Sequence, residues 1–242
     1  MKDKYFGDKH DFRKYVLLSF LQECTGYTIA INWMRTKFEA NPDNADGNKR
    51  NYKSWSNNNE RIYKILQQSK VQNDSRSVED FQALNILPDN TLLWSTYVPD
   101  RDNAASKNKL KELRKKWYAD FLSFSKKANM IFFDPDNGIE VKSAPKGTKE
   151  SYKYLYCDEI KDVFLRGQDI LIYQHKPRMT LENMIQGKRS MLVPITKRSP
   201  LIFVAGEVVY FFLTHNIETS MEVVKEFKNK EFSPDFLSII EP

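Results

Sequence analysis

The sequence, 242 residues long, predicts a single α/β domain with a mostly parallel sheet and helices on both faces. Three observations carry that expectation. Short apolar runs rich in Ile, Val, Phe and Tyr recur along the chain. Segments with helical periodicity stand between them. The last two apolar runs flank Ala205-Gly206-Glu207 and read as a C-terminal antiparallel hairpin.

The elements follow in order. FRKYVLLSFLQE (12–23) places Tyr15, Leu18 and Leu21 near helical spacing, with Asp11 positioned as the cap. TGYTIAINWM (25–34) is a buried strand after a glycine turn. Residues 57–70 form a helix behind an Asn cap, and 77–87 a second, where Ser77 and Asp80 have capping-box spacing. NTLLWSTYV (90–98) has strand composition. Residues 106–128 make the clearest amphipathic helix, with Leu110, Leu113, Trp117, Phe121 and Phe124 on one face. A strand at 129–134, a short strand and helix at 151–167 stopped by Gly167, a strand at 168–175 and a helix at 180–192 lead to the hairpin at 199–216. The polar stretches 38–60 and 99–108 are expected to be mobile loops.

Composition narrows the function classes. No run of 18 apolar residues exists, so no membrane partner is expected. MKDKYFGDKHDF, at the start, is charged throughout and lacks the apolar stretch of a secretory leader. Cys24 and Cys157 have no metal-ligand spacing, and two isolated thiols suggest a reduced, cytoplasmic protein. The net charge of +6 favours a polyanionic partner, DNA or RNA first. Lys107, Lys109, Lys111, Arg114, Lys115 and Lys116 would form a phosphate-contacting helical stripe, extended by Lys188, Arg189, Lys197 and Arg198.

The stretch IFFDPDNGIEV (131–141) raises the functional question. A buried strand runs into Asp134-Pro135-Asp136-Asn137-Gly138, and the next strand ends in Tyr173-Gln174-His175-Lys176-Pro177-Arg178. Asp-Pro and Asn-Gly are ordinary turn dipeptides. In an open parallel sheet, however, ligands sit at the carboxyl ends of strands, and two such neighbouring ends would face one crevice. His175 is the candidate acid–base group, while His10 and His215 read as surface residues. Trp33, Trp94 and Trp117 read as core, and Trp55, in a polar loop, as a platform for a base. Residues 143–151 would be a lid or substrate loop.

A strand ending in Asp-Pro-x-x, followed by strand, helix and a final antiparallel hairpin, resembles class I S-adenosylmethionine-dependent methyltransferases, with their Rossmann-like sheet. The ribosomal RNA adenine N6-methyltransferases are nearest in type, because Gly7-Asp8-Lys9-His10-Asp11-Phe12-Arg13-Lys14 is similar to the segment before their first helix. The resemblance covers about residues 5–35 and 110–215. It implies S-adenosylmethionine as cofactor and an amine of an RNA or DNA base as target. Asp134, Asp136, Asn137 and His175 would be catalytic. Asp8, Lys14, Tyr15 and Asp46 would lie on the cofactor side, and Lys142, Tyr173 and Arg178 on the substrate side. Asp136 and Asn137 replace the second proline and the aromatic of the family motif, and the candidate first strand, 29–37, contains no glycine. Two alternatives follow. Asp134, Asp136 and Glu140 would bind Mg²⁺ in a nuclease with His175 as its general base, although Asp136 and Glu140 stand too close for two useful strands; Asp8, Asp11 and Glu159 would complete another geometry with Asp134 and Asp136. Otherwise the chain is a non-catalytic nucleic-acid-binding protein on a degenerate methyltransferase scaffold.

Overall fold

The computed structural model describes residues 3–37, 49–68 and 77–242. Helices α1 (Lys9–Thr25), α2 (Glu60–Leu66), α3 (Asp80–Ala83), α4 (Lys107–Phe124), α5 (Cys157–Leu165), α6 (Leu181–Thr196) and α7 (Ile217–Lys230) alternate with strands. The strands are β1 (Ile29–Asn32), β2 (Leu92–Trp94), β3 (Met130–Phe133), β4 (Gly138–Ile139), β5 (Tyr154–Leu155), β6 (Asp169–His175), β7 (Leu201–Ala205), β8 (Val208–Leu213) and β9 (Ser238–Ile240).

Seven strands form one sheet in the order β2-β1-β3-β6-β8-β7-β9. The first four are mutually parallel, and β8 runs antiparallel between β6 and β7. The expected architecture, α/β with a mostly parallel core and a C-terminal antiparallel hairpin, is therefore present. The chain leaves β1 toward β2 on one side, then crosses to β3 on the other. That reversal is the kind of switch point at which strand ends splay and leave a crevice.

Strand alternation sorts the core into two layers. Ile29, Ile31, Phe132 and Tyr210 pack with Phe12 and Leu18 of α1, Phe81 of α3 and Val223 of α7. Ala30, Ile131, Phe133 and Ile172 pack with Trp117 and Phe121 of α4, Ile160 of α5 and Leu192 of α6. Because the strands are covered on both faces, they read as continuous apolar runs. No helix among the described residues is long and apolar enough to cross a membrane.

Several boundaries differ from the sequence reading. Helix α1 begins at Lys9 and is capped by Asp8, not Asp11. Asp11 and Asp8 are one turn apart, and only Asp8 has the extended backbone that a cap needs. The second predicted helix does start behind an Asn cap, Asn59, whose side chain accepts from the Ile62 N–H. Helix α3 is one turn, and the Ser77–Asp80 box does not form; Ser77 Oγ accepts instead from the Glu79 N–H. Residues 53–58 and 101–103, inside the two predicted loops, are short 3₁₀ turns. Helix α6 runs past residue 192 through Pro194, and α7 and β9 add elements beyond the predicted hairpin.

The short β4–β5 ladder matters most for function. It pairs Gly138 with Tyr154 and Ile139 with Leu155, so the chain after β3 is pinned rather than free. Gln174 of β6 locks the same segment. Its amide donates to the carbonyls of Asn137 (2.9 Å) and His175 (2.7 Å) and accepts from the Ile139 N–H (2.9 Å). Gly138 has φ +107°, and a Cβ there would lie 2.3 Å from the Gln174 amide oxygen. Gly138→Ala is expected to destabilise the fold by more than ~1 kcal/mol in urea unfolding, since both the backbone angle and the Gln174 site reject the methyl group. An unchanged midpoint would show that this anchor is not rigid.

Candidate functional site

The carboxyl ends of β3 and β6 and the start of α1 enclose an open cleft of about 420 Å³. Asp134, Asp136 and Asn137 line it from the turn after β3, Tyr173 and His175 from β6, and Asp8, His10 and Lys14 from α1. The two strand ends singled out by sequence thus face one crevice, because β3 and β6 are parallel neighbours.

Helix α1 supplies the buried charges. It is covered on all sides along Asp11–Gln22, so its polar residues must find partners inside. The Lys14 ammonium donates to Asp11 Oδ1 (2.8 Å) and Asp134 Oδ2 (2.9 Å). Asp11 Oδ2 in turn accepts from the Tyr15 hydroxyl (2.7 Å) and the Gly7 N–H (3.1 Å). Burial alone would push the Lys14 ammonium down; the Asp11 and Asp134 carboxylates more than reverse this and hold it well above the ordinary lysine value. Burial raises Asp134, opposed by Lys14. At 3% exposure, Asp134 forms the floor of the cleft and is held by an internal cation.

Asp8 is placed differently. Its Oδ1 accepts from the N–H groups of His10 (2.8 Å) and Asp11 (2.9 Å), capping α1. Its Oδ2 has no hydrogen-bond partner among the described residues, although the side chain lines the cleft and is only 4% exposed. Burial, reinforced by the Asp11 carboxylate, pushes the Asp8 carboxyl up to about 7; the two amides and Lys14 oppose the rise. His10, expected at the surface, lines the cleft, and its Nδ1 is buried without a partner among the described residues. Burial and then Lys9, Arg13 and Lys49 drive it down to about 3, so it is neutral at physiological pH.

The remaining walls are polar side chains with few internal obligations. Asp136 accepts from the Thr36 hydroxyl (2.9 Å). Asn137 is fixed through its backbone, whose N–H donates to the Lys153 carbonyl (3.0 Å), while its carboxamide has no partner among the described residues. The Tyr173 hydroxyl, the His175 imidazole, the Glu207 carboxylate and the Lys49 ammonium also line the cleft with no protein hydrogen bond or ion pair among those residues. Burial holds the Tyr173 phenol well above its ordinary value, so it stays a donor.

Other predicted site residues lie elsewhere. Tyr15 is fully buried and serves Asp11. Lys142 and Arg178 are exposed and do not line the cleft, because the β4–β5 ladder and the end of β6 carry them outward. Asp46 lies outside the described residues. Glu140 accepts from the Cys157 N–H (2.7 Å), and Glu159 is bound by Arg114 (2.7 Å), so neither joins Asp134 and Asp136. No cluster of three His, Cys, Asp or Glu side chains suited to a metal occurs among the described residues. Arg114 and Lys188 also leave the predicted basic stripe: one is in that buried ion pair, the other donates to the carbonyls of Ile139 and Glu140. Trp55 is not a free platform, since the Arg13 guanidinium stacks on it at 3.9 Å. Residues 143–151 are held by Tyr156 and Asp158 rather than poised over the cleft.

Sequence reading missed Tyr5, Lys49, Lys153 and Glu207 as cleft residues. Only Glu207 carried a signal: the tip of a hairpin antiparallel to β6 must lie at the carboxyl end of β6.

The end of β1 is where a methyltransferase cofactor would need close backbone approach. There Met34 has φ +43°, and Arg35, 5% exposed, fills the space. Arg35 donates to Glu79 (2.7 Å) and Asp3 (3.0 Å) and lies over the Tyr97 ring at 4.5 Å. These residues do not fit S-adenosylmethionine at that position. No protein-family model, curated protein or solved structure matches the chain.

The cleft carboxyl gives a pH-dependent stability. Between 3.8 and about 7 the folded chain holds a proton on Asp8 that the unfolded chain has released. This contribution is fully present below 3.8 and is lost as pH rises through about 7. His10 acts in the opposite sense, its contribution being present above 6.5 and lost as pH falls toward 3. Asp8→Asn keeps a capping side chain. It should melt on the order of 5–10 °C above the unmodified protein at about pH 8, with the gain vanishing near pH 4. A gain that does not vary with pH would contradict the burial of an ionisable Asp8.

Proposed function

We propose that the cleft receives a base of single-stranded RNA or DNA, on a methyltransferase-like scaffold whose cofactor half is closed. One observation carries this reading. Asp8 Oδ2, the Asn137 carboxamide and the Tyr173 hydroxyl, on buried or half-buried side chains, converge on one cleft without hydrogen-bond partners among the described residues, with the exposed His175 and Glu207 at its rim. Buried or half-buried polar groups are normally satisfied, and a converging set that is not satisfied suits a polar ligand that supplies the missing bonds.

The volume of about 420 Å³ suits one nucleotide unit. Base edges are reachable in such a pocket only when the base is unstacked. Asn137 presents a donor and an acceptor, the pattern that reads a base edge. The +6 charge and the exposed Lys107, Lys111 and Lys115 of α4 favour the phosphate backbone.

Methyl transfer to a base amine is the second reading. The Asp134-Pro135-Asp136-Asn137 turn beside an acceptor-sized cleft favours it. The Arg35 cluster favours the first.

Fluorescence anisotropy with labelled single strands and duplexes tests the proposal. Single strands should bind, with affinity falling as salt rises. Asn137→Ala should weaken binding about tenfold, the scale of one lost base contact. Absence of binding at low salt, or equal binding by the variant, would refute it. Calorimetry with S-adenosylmethionine separates the readings: no heat is expected, and micromolar binding would overturn the closed cofactor half.

A further inference from the structure

We infer that Asp8, rather than Asp134, is the carboxylate that receives the amine of the base bound in the cleft. The inference rests on the nucleic-acid reading of that site and names the group that recognises the ligand.

Asp134 stands where the resemblance puts the amine-holding residue, but it is already engaged. Its Oδ2 is 2.9 Å from the Lys14 ammonium, and both side chains are about 4% exposed. A neutral amine could take that oxygen only by breaking a buried charge-assisted bond to Lys14, which is strongly unfavourable. Asp8 has the complementary arrangement. Oδ1 is fixed by two backbone amides at the start of a helix of 17 residues, and those bonds set the direction of the carboxyl plane. Oδ2 then has no donor among the described residues, in a side chain that is almost wholly buried yet lines the cleft. The ligand that satisfies an ionised carboxylate there must bring an N–H or O–H donor. On a nucleic-acid base the exocyclic amine of adenine, cytosine or guanine is such a donor; thymine has no exocyclic amine and offers only its ring N3–H.

The groups facing Asp8 fix the sense of its pH response. From α1 they are Asp11, which opposes ionisation, and Lys14, which favours it. Tyr15 on the same helix, Tyr52 from the segment before α2 and Tyr173 from β6 also feel its charge, and all three phenols are held above their ordinary values, chiefly by burial. They remain neutral donors at pH 7 and add no competing titration. With Asp8 near 7, binding an amine stabilises its ionised form and releases a proton. Affinity for amine-bearing strands should therefore rise as pH increases through about 7.

The test is anisotropy with oligo(dA), oligo(dC) and oligo(dT), measured from about pH 5 to about pH 9 for the unmodified protein, Asp8→Asn and Asp8→Ala. The expected result is a preference for oligo(dA) or oligo(dC) over oligo(dT) of about tenfold or more at high pH, growing with pH. In Asp8→Asn, which keeps the helix cap, that preference and its pH dependence should both collapse. Asp8→Ala, with the cap removed, should show the same loss of preference if it folds. An unchanged preference and pH profile in Asp8→Asn would overturn the inference alone. Failure of every strand to bind the unmodified protein would remove the nucleic-acid reading and this inference with it.

Discussion

A lysine held between two carboxylates beneath the cleft fixes the position of everything above it. Lys14 belongs to α1 and Asp134 to the end of β3, so the bond at 2.9 Å joins a helix to the sheet across 120 residues of sequence. The Asp11 bond at 2.8 Å places a second carboxylate on the same ammonium. Lys14 is the group on which the other two depend, since losing it would leave two buried carboxylates without their shared cation. The start of α1 is therefore tied to the turn after β3, and Asp8 and Asn137 line one cleft.

A second restraint acts from the sheet side. Gln174 and the β4–β5 ladder hold the chain after Asp134, leaving the Asn137 carboxamide free while its backbone is fixed. Rigid support beneath free functional groups is what a recognition site requires, because the entropy of ordering those groups is lost on folding and not on binding. The same economy explains the division between the two aspartates: Asp134 builds the floor, and Asp8 keeps one oxygen for the cleft.

The parallel core was legible because β1, β3 and β6 are buried on both faces and so appear as unbroken apolar runs. The pairing of their ends was legible for the same reason, and with it Asp136, Asn137, Tyr173 and His175 as cleft residues. Less was visible in α1. A helix buried all round has no amphipathic stripe, so Asp8 and Lys14 could be set beside a site only through the resemblance, and the pairing of Lys14 with Asp11 and Asp134 was not visible. The Asp134 contact is long-range, and no local spacing encodes it. Lys142 and Arg178 failed for the opposite reason: they are near the strand ends in sequence, but two residues of pleat or turn suffice to carry a side chain out of a cleft. Glycine at the first turn was the one absence that sequence alone made visible, and Arg35 in the space beyond β1 is its structural counterpart.

The central claim is that Lys14 and Asp134 form one interior unit. A double-mutant cycle of Lys14→Met and Asp134→Asn, followed by urea unfolding at neutral pH, measures it directly. Lys14→Met alone should cost about 3–5 kcal/mol, and the two changes together should cost less than their sum by about 2–3 kcal/mol. Costs that add to within about 0.5 kcal/mol would mean that the pair is not coupled, and the cleft would then need another foundation.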